Sequence, residues 1–188
     1  VRTIVESIMQ DFQPVVTPPE NVFVALGGRL YDNWVKELQL EDPEGDHPLW
    51  AEQSTNTSSG VDTRRCTECH GWDYKGAGGV YGSGSHETGF PGVLRAGSTE
   101  TKEYILDVLK GAGEFRHDFS IDLSDDQLSA LADFLIGGTV NIAQLVDYDT
   151  KKPRIEVDLE NGRLKYARTC GSCHGADGKE INSGDAEN

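Results

Sequence analysis

Cys66-Thr67-Glu68-Cys69-His70 and Cys170-Gly171-Ser172-Cys173-His174 are two copies of one five-residue pattern, C-x-x-C-H. The pattern reads as a c-type haem attachment site. Its thiols are spaced to form thioethers with the two vinyl groups of one porphyrin, and the adjacent imidazole sits beneath the iron as proximal ligand. These are the chain's only four cysteines, so each motif uses one pair and none is left over. Two covalently bound c-type haems are therefore the expected cofactors. Cys66, Cys69, Cys170 and Cys173 are the attachment residues, and His70 and His174 the proximal iron ligands. Other uses of C-x-x-C fit less well. A zinc ribbon sets its knuckles roughly 15–20 residues apart, whereas these stand at 66 and 170. A thioredoxin-like site takes one motif on a βαβ pattern and has no role for the following His.

The chain has 188 residues, room for one or two small domains. Its hydrophobic content of 36% is low for a large side-chain core, but a bound porphyrin supplies apolar volume of its own. Twenty-two glycines fit a chain that turns closely around a flat group. A formal charge of −15 disfavours nucleic acid, whose phosphates it repels. The same field steers a basic redox partner, and equally keeps a secreted protein in solution. No apolar run reaches the length of a membrane span, and no signal segment is present. Haem attachment outside the cytoplasm places the protein in the periplasm or extracellular space, with Val1 beginning a processed form.

Along the chain, Ile4, Val5, Ile8, Met9 and Phe12 have roughly helical spacing before a proline-rich break, and residues 1–19 form an N-terminal arm. A helical stripe follows from Glu20 to about Leu40, where Gly27-Gly28 weakens the helix or admits close packing against another. Residues 41–64 read as a long polar loop, and the glycine-rich 75–98 as irregular chain around a porphyrin edge. Helices are predicted over 99–110, over 125–136 behind a Ser124-x-x-Gln127 capping box, and over roughly 157–170. Gly28-Arg29-Leu30-Tyr31 echoes Gly162-Arg163-Leu164-Lys165-Tyr166. The predicted organisation is a first domain over 20–140, a connector over 141–156 and the start of a second domain over 157–188.

These residues together resemble class I cytochromes c arranged as a tandem dihaem protein. The resemblance covers most of 20–188. It is carried by a helix before each C-x-x-C-H-G, the Phe90-Pro91-Gly92-Val93-Leu94 loop, a middle helix, and the helix opened by Leu123-Ser124-Asp125-Asp126. His70-Gly71-Trp72-Asp73-Tyr74-Lys75-Gly76 looks like the haem-binding turn, and His174-Gly175-Ala176-Asp177-Gly178-Lys179 like its simpler standard form. The resemblance implies an all-α fold, helices and long loops wrapped around covalent haem, with the second cytochrome c unit incomplete. In this family a Met in the loop before the last helix is the usual sixth ligand. Here that loop is Gly113-Glu114-Phe115-Arg116-His117-Asp118-Phe119, and the chain's single Met is Met9. His117 is accordingly the expected distal ligand of the first haem. Replacing a thioether by imidazole should lower the potential.

The second motif lacks the loop and helices that close such a fold, because the sequence runs only to Asn188. Its sixth ligand comes either from a Met-bearing segment absent from this chain, or from His86, His47 or a His of a neighbouring subunit. Of the two in this chain His86 is preferred. Trp72 and Tyr74 are candidates to pack on porphyrin or donate to its propionates. Trp34 and Trp50 read equally well as core, and Arg64-Arg65 as a solvated basic pair. The expected function is electron transfer with redox partner proteins, in a homo-oligomer or filament where the second haem abuts another chain. The alternative is a peroxidase-like oxidoreductase with an open site at the second haem. A zinc-bound interaction domain is the third reading.

Overall fold

A computed structural model of the protein describes residues 19–150 and 152–178. The N-terminal arm with Met9, and Lys179 onward, lie outside the described residues. The chain is mostly helical. Helices α1 (Pro19–Glu37), α2 (Cys66–His70), α3 (Leu94–Thr99), α4 (Lys102–Leu109) and α5 (Asp125–Gly137) precede α6 (Leu159–Thr169) and α7 (Gly171–His174). No strand occurs among the described residues, only isolated bridges such as Gly76 with Pro91 and Lys110 with Asp118. The fold is all-α. The chain divides between Asn141 and Ile142 into two units.

In the first unit the core is the buried stripe Leu30, Tyr31, Trp34 and Val35 of α1 set against Leu128, Leu131, Phe134 and Leu135 of α5. Ile105 and Leu109 of α4 complete it. Gly27 explains how closely α1 and α5 approach. A Cβ there would strike the carbonyl of Ala130 and the Cβ of Phe134, so only hydrogen fits. Tyr31 then reaches Phe134 at a ring separation of 5.7 Å and Tyr74 at 5.3 Å. Helix α1 carries a break at Asn33 (φ −158, ψ 89), where the Asn side chain accepts from the Lys36 N–H at 3.0 Å. An Asn carboxamide competing for backbone in this way is a local cause of such a kink.

Helix α5 starts as its sequence requires. Ser124 accepts from the Gln127 N–H, the Gln127 side chain accepts from the Ser124 N–H at 2.8 Å, and Asp125 and Asp126 stand at the positive end of the helix. Thr101 caps α4 by accepting from Tyr104 N–H at 3.2 Å. Two segments differ from the sequence reading. The stretch read as irregular over 75–98 ends in α3, a six-residue helix without a side-chain cap. Local periodicity is too short there to register. Its Gly97 lies so close to the Leu135 carbonyl that a Cβ would collide with it, so tertiary contact shapes the turn. The long polar loop over 41–64 also contains two 3₁₀ turns, Trp50–Glu52 and Gly60–Arg64, anchored by buried Trp50 and Thr63.

The second unit is built on local contacts. Asp158 caps α6 by accepting from Asn161 N–H at 2.9 Å, and Arg154 pairs with Asp147 at 2.7 Å. Tyr166 donates to the Gly175 carbonyl at 2.8 Å, tying α6 to the end of α7. Leu159, Leu164, Ile155 and Val157 are all exposed, and none of this unit's described apolar side chains is buried.

The α1–α5 contact sets a stability test. Gly27→Ala should lower the unfolding free energy by about 1–3 kcal/mol through overpacking. Gly137→Ala, whose Cβ would meet nothing within 4 Å, should be neutral or slightly stabilising. Denaturant melts of both variants check the contrast, and equal midpoints would contradict the close helix approach.

Candidate functional site

The first C-x-x-C-H forms a single helical turn, α2, and the geometry of that turn decides where its side chains go. Cys66, Cys69 and His70 stand at i, i+3 and i+4, one face of a helix. Glu68 takes the other side, buried, accepting from Asn56 at 2.9 Å and Ser58 at 2.8 Å. Helix α1 grips both ends of the turn. Trp34 Nε1 donates to the carbonyl of Arg64, just before Cys66, and Tyr31 Oη donates to that of Gly71, just after His70, each at 2.8 Å. Gly71 (φ +77) then turns the chain away in a conformation that L side chains rarely adopt.

The reactive face of α2 opens on a cleft that is partly open to solvent. Its walls are almost wholly apolar. Val93, Ile105, Val108, Leu109, Leu131 and Leu135 supply much of the lining. Cys66, Cys69 and His70 meet His117 there. His117 ends the 3₁₀ turn Phe115–His117, and its ring centroid lies 6.2 Å from that of His70, the planes 75° apart.

Both imidazoles are oriented by backbone. His70 Nδ1 lies 2.7 Å from the Pro91 carbonyl and His117 Nδ1 3.2 Å from the Val108 carbonyl. A carbonyl only accepts, so each Nδ1 carries a proton, and in the neutral ring the lone pair lies on Nε2. Burial pushes the His70 imidazole down to about 4, with the charge of His117 adding to the fall against the lift from Pro91. It is therefore neutral near pH 7, the form that binds metal. Cys66 and Cys69 face the cleft, yet so much protein surrounds them that burial pushes each thiol up to about 12. They are not activated thiolates. Among the described residues no three His, Cys, Asp or Glu side chains converge as a metal cage.

No family model, curated protein or solved structure matches the chain. The chemistry of the cleft therefore rests on its own residues.

The other sequence candidates are dispersed. His47 is buried in the cleft wall, accepting from Leu49 N–H at 3.2 Å through Nδ1 and stacking on Phe119 at 5.6 Å. Burial, then the charges of His117, Arg64 and His70, lower it to about 4. His86 is not in the cleft. It stacks on Tyr81 at 4.9 Å and lies 3.8 Å from Glu68. Trp34 and Trp50 are core, Trp72 is exposed, and none of these lines the cleft. Arg64 and Arg65 do line it, but Arg64 donates to the carbonyls of Glu44, Gly45 and Asp46, and Arg65 pairs with Asp32. In the second unit Cys170 is half-buried, while Cys173 and His174 are exposed. The sequence reading missed the carbonyls of Pro91 and Val108 and the cleft-facing side of the 47–49 loop. Only Pro91 had a signal, inside the Phe90–Leu94 segment already singled out.

Two measurements test this geometry on the chain with free thiols. Iodoacetamide at pH 8 should alkylate Cys173 more than roughly tenfold faster than Cys66 or Cys69, whose thiolates appear only as pH approaches 12. Similar rates by peptide mass spectrometry would contradict the burial. His47 gives a pH signature. Between about 4 and 6.5 the unfolded chain binds the His47 proton and the folded one does not. Stability is thus full above 6.5 and falls as pH drops towards 4. Urea melts at the two ends of that window should show the loss, and His47→Gln should reduce it.

Proposed function

We propose that this chain is a c-type cytochrome that carries electrons outside the cytoplasm, with one haem in the first unit's cleft and a second on Cys170, Cys173 and His174. The observation that carries the reading is the spacing of the two imidazoles that line the cleft. Two imidazoles bound to opposite sides of one metal, each bond being about 2 Å, hold their centroids on the order of 6 Å apart. His70 and His117 stand at 6.2 Å, each with Nδ1 on a carbonyl and Nε2 left to coordinate. Two protein donors also suit an iron whose other four ligands are porphyrin nitrogens.

In this assignment Cys66 and Cys69 hold the group by thioether bonds, and their burial keeps those sulfurs from competing chemistry. The bound iron supplies one-electron exchange between ferric and ferrous forms. The chain's own part is to orient both imidazoles through backbone carbonyls, line the site with apolar walls, and set a low potential through a second imidazole in place of a thioether. The −15 charge favours a basic redox partner. No helix among the described residues is long and apolar enough to cross a membrane.

The second motif keeps an alternative open. Residues 142–178 contain no His besides His174 and no Met. An open iron position there would suit a peroxidase-like oxidoreductase, so hydrogen peroxide binding to the oxidised protein distinguishes catalyst from carrier.

The chain produced with haem-attachment machinery should be red, carry two haems by mass, and give a near-infrared magnetic circular dichroism band of bis-histidine type. His117→Ala should remove that band from the first haem and leave the haem covalently attached. A colourless protein, or a His/Met band unaltered in the variant, would overturn the reading.

A further inference from the structure

The 3₁₀ turn that presents His117 is only partly enclosed. None of its three residues is buried, and Phe115 is 81% exposed. Gly113, just before it, sits at φ +85 with nothing within 4 Å of the position a Cβ would take. Charge adds to the bond between His117 Nδ1 and the Val108 carbonyl and to the ring contact of His117 with Phe119 at 5.0 Å. Arg116 grips the Glu114 carboxylate with two nitrogens, Nε to Oε1 at 2.9 Å and Nη2 to Oε2 at 2.8 Å. Its Nη1 donates to Glu52 Oε1 at 2.7 Å, across 64 positions of sequence. Glu52 belongs to the turn begun by Trp50, which is buried and donates from Nε1 to the Ser58 carbonyl at 2.9 Å. The arginine thus fastens the distal turn to a well-anchored part of the fold.

From this we infer that Arg116 is a positioning residue, an ionic latch that holds the His117 imidazole in the cleft and sets how readily it leaves. The inference rests on the assignment of His117 as distal ligand. A bidentate guanidinium–carboxylate pair fixes direction as well as distance, which a lysine cannot do. The latch is also open to solvent. The Arg116 side chain is 31% exposed, Glu114 38% and Glu52 57%. Added salt therefore screens it, whereas the buried Phe119, two residues beyond His117, whose N–H donates to the Leu109 carbonyl at 2.9 Å, is indifferent to salt.

The test uses the reduced, haem-loaded full chain and carbon monoxide, a neutral probe that must wait for a distal ligand to leave. His117→Ala identifies the kinetic phase belonging to the first haem, as the one it accelerates. Arg116→Gln should speed that phase roughly tenfold, and Glu52→Gln, which cuts one of the two pairings, about threefold. Arg116→Lys should restore it in part. In the wild type the phase should quicken as ionic strength rises from about 0.01 to 1 M, where the screening length shrinks from roughly 30 to 3 Å. Arg116→Gln should lose that salt dependence. Unaltered rates in both Gln variants, or a salt dependence that survives Arg116→Gln, would overturn the latch. Should His117→Ala accelerate no phase, the ligand assignment itself fails.

Discussion

Gly27 lets two helix backbones come closer than any side chain would permit, and the rest of the first unit is arranged around that approach. With α1 seated on the Ala130 carbonyl, Leu30, Tyr31 and Trp34 sink fully into the interface with α5. Their polar atoms then cannot reach water, and a buried donor needs a partner. Tyr31 Oη and Trp34 Nε1 find theirs on the carbonyls at either end of the motif helix. Core packing and the site are therefore one structure. The hydrogen bonds that satisfy the core aromatics also aim Cys66, Cys69 and His70 into the cleft.

What could be read in the sequence follows from how local each determinant is. The Ser124–Gln127 capping box and the stop at Gly137-Gly138 are made within a few residues, and α5 starts and stops where they place it. Gly27-Gly28 left open a weakened helix or close packing and named no partner, because the partner is more than a hundred positions away. Helix α3 was invisible for the opposite reason. Its turn exists because Gly97 lies on α5, not because its six residues favour a helix. No periodicity in the chain signals that His117 and His70 line one cleft; only the resemblance had singled out His117. The Arg116–Glu52 link had no precursor at all, since nothing in either segment names the other.

His47 and His86 separate what composition cannot. Both are single histidines in polar, turn-rich stretches, and the sequence slightly favoured His86. The difference lies in what surrounds each ring. The 47–49 segment folds against Phe119, which removes His47 from water and commits its Nδ1 to backbone. His86 instead lies on Tyr81 beside a buried carboxylate. An imidazole becomes part of the cleft because an apolar neighbour shelters it, and that neighbour is Phe119, from a segment more than seventy positions on.

The two C-x-x-C-H motifs make the same point at a larger scale. Each is a helical turn followed by a glycine at positive φ, and in each the turn ends on a carbonyl gripped by a tyrosine: Tyr31 on Gly71, Tyr166 on Gly175. The echo between residues 28–31 and 162–166 is thus a real correspondence of role. Beyond that grip the surroundings part. Around Cys66 and Cys69, segments from across the first unit supply apolar walls, and burial raises both thiols. Around Cys173 and His174 the same turn is exposed, as are the leucines of α6. The same five-residue pattern is thus enclosed in the first unit and exposed in the second, because the enclosure comes from distant sequence.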